Sequence, residues 1–266
     1  MKKFQIVGVL SILIFSFFYT EKIANLTLEK NEIYQSIKDN YEDYNVNYVN
    51  AEIIDNKVIP GLNGKTVNIK SSYFNMKDMD AFNEYYLKYD TTYPKVSLSN
   101  NKDKIIVSGN KLKNAVSFVL EYDEKIIKYF NENNIDASVL VDLNTFKKDE
   151  KLEQINNEVD KFKTLDSLLH KYNNNNNICY ASSNNEEICL ENKKYLVKSE
   201  KVINNSTFIN IKNNINRGDI YYVSKNINVS NLNLIIKSIL YKDLDIIRLS
   251  KMISEERDWF KIGFLV

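Results

Sequence analysis

The chain opens on Lys2 and Lys3 followed by FQIVGVLSILIFSFFYT, Phe4 to Thr20, a run without a single charge. At 1.5 Å per residue, roughly 17 residues span about 25 Å, near the lower limit for crossing a bilayer. The run closes on Phe17, Phe18, Tyr19 and Thr20 rather than on the small residues of a cleavage site, and aromatics suit a membrane interface. Residues 1–21 therefore predict a single-pass transmembrane anchor, with Glu21 onward outside the cytoplasm. Cleavage would instead release a secreted protein. Across residues 22–50 the apolar positions Ile23, Leu26, Ile33 and Ile37 fall at helical spacings and predict a stalk helix.

The pattern then turns strand-like. AEIIDNKVIPGLNGKTVNI has short β-branched runs broken by Pro60-Gly61 and Asn63-Gly64, both turn signals. Ser71 to Leu87 reads as a helix with Phe74, Met79, Phe82 and Leu87 as apolar positions, and Lys95–Ser99 and Lys104–Asn110 as extended pieces. Residues 51–112 thus form a β-containing extension. From Asn114 the order is strand (AVSFVLEY), helix (DEKIIKYFNENN) and strand (IDASVLVDL). Continuous apolar strands joined by a helix indicate a parallel βαβ unit covered on both faces. Lys147 to Leu169 reads as a charged helix and NNNNN as a loop. YLVKS, GDIYYVS and LDIIRLS read as strands, and NLNLIIKSILYK and KMISEER as helices. The expected fold is α/β, with a main domain over 113–258 and a tail over 259–266.

Composition changes this picture only at a few points. Lys+Arg number 36 against 35 Asp+Glu, a net charge of +1, so nothing draws the whole chain to nucleic acid. Cys179 and Cys189 are ten positions apart, too far for a CxxC metal or redox pair. Outside the cytoplasm they close a hairpin as a disulfide or stand as two free thiols. With His170 the only histidine, these residues alone build no standard structural zinc site.

Several of these stretches, in this order, resemble polysaccharide deacetylases with the NodB homology fold. AVSFVLEYD is similar to that family's first barrel strand, which ends in T-F-D-D-G, and IDASVLVD to the next, K-x-A-T-F-F-V-x-G. RGDIYYVSKNINVSNLNLIIKSILYKDLDIIRLSKMISEE resembles its closing segment, and PGLNGKTVNIKSSYFNMKD the extension before the barrel in divergent members. The likeness covers Pro60 to Glu256 and is weak between Asn144 and Ile211. It implies a distorted or incomplete (β/α) barrel. From Asn114 to Glu256 there are roughly 143 positions against about 200 or more for a full barrel, so one or more βα units are expected to be lost or thinned.

The resemblance also implies hydrolysis of N-acetyl C–N amide bonds on cell-surface glycans. That chemistry uses a divalent metal held by one aspartate and two histidines, a carboxylate base and a histidine acid. The base position falls at Glu121, the metal aspartate at Tyr122 and the acid histidine at Ser224, while no H-x-x-x-H pair follows. No cofactor is therefore expected. The first expectation is a membrane-anchored, catalytically inactive deacetylase-like protein that binds cell-wall glycan or peptidoglycan through some of its 18 tyrosines. The alternatives are a residual deacetylase working through Glu121 and Asp123, with His170 assisting, and a tethered scaffold without carbohydrate affinity. Asp123 has a competing role as helix N-cap.

Overall fold

The computed structural model describes residues 2–79, 81–173, 177–182 and 184–257; the expected tail at 259–266 and the middle of NNNNN lie outside them. In chain order the elements are helices α1 (Lys2–Leu28) and α2 (Glu32–Asn40), strands β1 (Glu52–Ile54), β2 (Lys57–Ile59) and β3 (Gly64–Val67), and helix α3 (Ile69–Met76). Strands β4 (Tyr89–Thr92), β5 (Ile105–Ile106) and β6 (Ala115–Leu120) lead to α4 (Glu124–Glu132). Then come β7 (Ser138–Val141), β8 (Glu153–Asn156), α5 (Phe162–Asn173), β9 (Ile178–Tyr180), α6 (Glu186–Glu191) and β10 (Tyr195–Val197). The described part closes with β11 (Lys201–Ile203), α7 (Phe208–Asn213), β12 (Ile220–Val223), α8 (Val229–Tyr241), β13 (Asp245–Ile246) and α9 (Leu249–Ile253).

Two compact units interleave along the chain: Met1–Asn47 with Gly64–Thr92, and Tyr48–Asn63 with Tyr93–Val266. The first unit pairs β3 with β4 antiparallel and packs Ile37, Val67, Met76 and Leu87 into its own small core. Its first helix runs on past Thr20 through Glu21 and Lys22. Among the described residues no helix is long and apolar enough to cross a membrane, which corrects the expected transmembrane segment. The expected helix over Ser71–Leu87 is shorter as well. Asn68 caps α3 at Ser71 N, and Leu87 sits in an extended segment that Ser72 Oγ pins at Lys88 N, 2.9 Å.

The second unit holds two sheets, ordered β11-β12-β6-β7-β8 and β1-β2-β5-β10-β9. All pairs are parallel except the β1–β2 hairpin. β13 pairs with the start of β6. β9 packs beside β8, but no hydrogen-bonded pairing joins the two sheets among the described residues, so the parallel strands do not close into a barrel. β6 lies at the centre because all six of its residues are apolar or small and all are buried. One face of its sheet packs Phe118 against Phe130 of α4 and Tyr221 of β12, with ring centroids 5.6 and 5.7 Å apart. Each such buried side chain stabilises the fold by about 1.5–3 kcal/mol.

Of the βα units expected to be lost or thinned, the strands continue from β6 to β13, but among the described residues no helix lies between β7 and β8 or between β10 and β11. Lys147–Leu169 is not one helix but β8 followed by α5. Gln154 and Asn156 are polar yet buried in β8, because Gln154 bonds the backbone of Lys147 in both directions and Asn156 Nδ2 donates to Phe162 O. Lys95–Ser99 likewise forms no strand; a 3-10 turn occupies Leu98–Asn100. Gly218 joins α7 to β12 at φ +82°, and a Cβ there would lie 2.6 Å from the Gly109 carbonyl, so only glycine fits.

Candidate functional site at the strand ends

Parallel pairing brings the C-terminal ends of β6 and β12 to one rim, with Val223 in register with Leu120. Each strand carries one more residue outward: Glu121 N bonds Val223 O at 2.9 Å, and Ser224 N bonds Ile203 O at 3.1 Å. Glu121 and Ser224 thus meet across the rim. Both oxygens of the Glu121 carboxylate are engaged. Oε2 accepts from Lys225 N at 3.1 Å and from Ser224 Oγ at 3.4 Å, and Oε1 pairs with Lys225 Nζ at 3.3 Å.

Below this cluster Tyr222 stacks on Tyr180 of β9, centroids 5.3 Å apart and planes 23° apart. Burial pushes the Tyr222 phenol up to about 12, helped by the charge of Glu121, by Tyr180 and by its bond to Glu121. Tyr180 is likewise raised to about 12 by burial, against a bond that its oxygen accepts from Ser199 N. Both phenols are therefore neutral near pH 7, an uncharged aromatic pair beside the Glu121–Lys225 ion pair.

The other sequence-derived candidates separate. Tyr122 packs its ring against the core and its hydroxyl reaches the surface, donating to Glu124 Oε1 at 3.5 Å, with the ring 5.8 Å from Lys147 Nζ. Asp123 caps α4, accepting from Lys125 N at 2.8 Å and Ile126 N at 3.1 Å. Its carboxylate thus serves the helix, not Glu121. His170 is exposed in the last turn of α5. Cys179 and Cys189 are bonded as a disulfide with Cα atoms 5.9 Å apart, tying β9 to α6 inside a small apolar cluster.

Sequence reasoning missed two further carboxylates beyond β7 and β8. Asp142 tends upward through burial, but bonds from the Thr145 hydroxyl and from Thr145 N and Asn144 N outweigh this and hold it low. Glu158 accepts from Leu143 N at 3.3 Å. The D-L-N-T turn after an apolar strand was the available signal for Asp142.

A divalent metal does not fit the residues present. The carboxylate at the base position is saturated by an ammonium group and two further donors, the residue at the metal-aspartate position is a phenol whose hydroxyl reaches the surface, and that at the acid position is a hydroxyl. Among the described residues no three His, Cys, Asp or Glu side chains come together to hold an ion.

No family model matches the chain. It is 31% identical over 128 residues to the uncharacterised protein YlxY of Bacillus subtilis, covering 46% of this chain and 40% of that protein. The chain thus spans less than half the length of that curated relative. Its structure is similar to that of a CE4 family pseudoenzyme from Bacillus anthracis, with a TM-score of 0.58 and 16% identity over 85% of this chain and 96% of that one. It is similar also to a mutant CE4 pseudoenzyme described as having restored enzymatic activity, with a TM-score of 0.57 and 15% identity over 85% and 100%. The chain thus shares its fold with these CE4 family pseudoenzymes.

Proposed function

We propose that the chain is a catalytically inactive deacetylase-like protein that sits at the outer face of a membrane and holds cell-wall glycan without hydrolysing it. The observation that carries the reading is the state of Glu121. A general base must be free to take a proton from water, and a metal must be present to acidify that water. Here Lys225 supplies the positive charge to the carboxylate, Tyr122 stands where an aspartate would bring a metal, and Ser224 stands where a histidine acid would act. Likeness in fold to a protein described as a pseudoenzyme supports the same reading.

The membrane part rests on α1, where Leu10, Ile12, Leu13, Ile14, Phe15, Phe17 and Phe18 are exposed without a polar face between them. Such a surface needs an apolar cover. The Cys179–Cys189 disulfide favours a remainder outside the cytoplasm. The test uses the full chain. It is expected to stay in the pellet after alkaline carbonate washing and, once solubilised, to carry no stoichiometric zinc. It is also expected to release no acetate from acetylated chito-oligosaccharide or peptidoglycan. Stoichiometric zinc together with turnover would overturn the inactivity, and full extraction by carbonate would overturn the membrane placement.

A further inference from the structure

The first unit carries a groove that the deacetylase likeness does not use. It lies between one face of α3 and the extended segment entering β4, with a volume of about 490 Å³, inside the roughly 300–1,000 Å³ of small-molecule sites. Its floor is the Ser72–Lys88 pairing, where Ser72 Oγ accepts from Lys88 N and donates to Lys88 O at 3.3 Å. Two side-chain bonds brace it. Asn68 Nδ2 donates to Asp90 Oδ2 at 2.9 Å, and Asn75 Nδ2 donates to Tyr86 O at 2.8 Å.

Its walls are aromatic. Phe74 is 58% exposed although it belongs to a chain of ring contacts, Tyr34 to Tyr73 at 5.8 Å and Tyr73 to Phe74 at 5.5 Å. Tyr89 stands on the strand side and is backed by Lys65, whose ammonium lies 4.0 Å from the ring centre. The rings are thereby held in place while part of each stays in water. The bracing bonds engage one end only of Asn75 and Asp90. Oδ1 of each is left for a ligand, together with the Ser71 hydroxyl and the Lys88 ammonium.

Lys88 and Asp90 cancel in charge, so the groove favours neither an anion nor a cation. Fixed rings offer their faces to C–H groups, and a rigid amide and carboxylate match neighbouring hydroxyls. That combination suits a neutral polyhydroxylated chain. The geometry points to a saccharide-binding groove in the first unit, lined by Phe74 and Tyr89 with Asn75 and Asp90 as polar contacts, separate from the strand-end rim of the second. It rests on the proposed glycan reading in one respect, the choice of an N-acetylated sugar as ligand.

The test is a titration of the isotope-labelled full chain in micelles with tetra-acetyl chitotetraose, followed by amide chemical shifts. Saturable shifts are expected along residues 68–75 and 86–90. Phe74→Ala is expected to weaken binding about tenfold or more, and Asn75→Ala severalfold. Both positions are exposed, so the variants should melt as the parent does. Absence of saturable binding, shifts confined to the rim around Glu121 and Tyr222, unchanged affinity in both variants, or binding of a basic peptide in place of the sugar would each overturn the groove. Acetate release by the parent chain would sink the inactivity while leaving the groove standing.

Discussion

β12 carries the same three chemical groups at its two ends, and they do different things. Before the strand, Asp219 accepts from Tyr221 Oη at 2.7 Å and from Lys201 Nζ at 2.5 Å, with Asp219 itself only 8% exposed. After it, Glu121 pairs with Lys225 and Tyr222, and Lys225 is more than half exposed. Adjacent strand residues point to opposite faces, so Tyr221 joins the core of Phe118 and Phe130 while Tyr222 meets Tyr180. A carboxylate, a lysine and a tyrosine thus brace the interior at one end and cover a rim at the other. What separates them is water. A carboxylate withdrawn from solvent must be satisfied in place, here by a lysine that is itself 31% exposed, whereas a pair at the surface can be exchanged for hydration at little cost.

The sharpest way to break this comparison is to empty the buried end. Asp219→Ala leaves Lys201 without its partner and the Tyr221 hydroxyl unbonded, and is expected to cost about 3 kcal/mol in denaturant unfolding of the second unit. A loss below about 1 kcal/mol would show that the two ends are alike.

Alkaline pH probes both ends together at a smaller scale. Tyr180 and Tyr222 rise from the ordinary 10.0 to about 12, and Tyr221 is pushed up strongly by burial and by Asp219. A phenol with a raised folded pKa keeps its proton longer in the folded state. Its contribution is fully present below pH 10 and is lost as pH rises through about 12. Because Tyr222 is only half-buried, the expected fall is on the order of 1–2 kcal/mol between pH 10 and 12. It is read by denaturant unfolding at successive pH values, with the phenolate absorbance titrated in parallel. Titration of all the tyrosines near pH 10 would contradict it.

The sequence made some of this legible and hid the rest for identifiable reasons. β6, α4 and β7 were readable because AVSFVL is uninterrupted, Asp123 is a strong cap and Ile126, Ile127 and Phe130 share one face. β8 was hidden because its polar Gln154 and Asn156 are satisfied by backbone groups that no periodicity shows. β5 was read as an extended piece, but its pairing was not, since its partners β2 and β10 lie about 50 and 90 positions away in the chain. At the rim, Glu121 and Ser224 were placed by the resemblance to the deacetylase family. The pairing with Lys225 and the Tyr180–Tyr222 stack depend on registers across β9 and β12 that only the folded chain fixes.

The exposed end gives the smallest and most selective prediction. Glu121→Gln removes a charge whose partner is more than half in water, so stability is expected to change by less than about 1 kcal/mol. The variant should still release no acetate. Its informative readout is Tyr222. Burial is the largest reason its phenol is raised and Glu121 the next, so the variant's phenol should titrate earlier than the parent's yet remain above 10. An unchanged titration would place Glu121 too far from Tyr222 to matter and separate the aromatic pair from the ion pair. A drop all the way to 10 would mean that the pair is not buried. Only the intermediate result fits a rim where Lys225 and Tyr222 together quench one carboxylate.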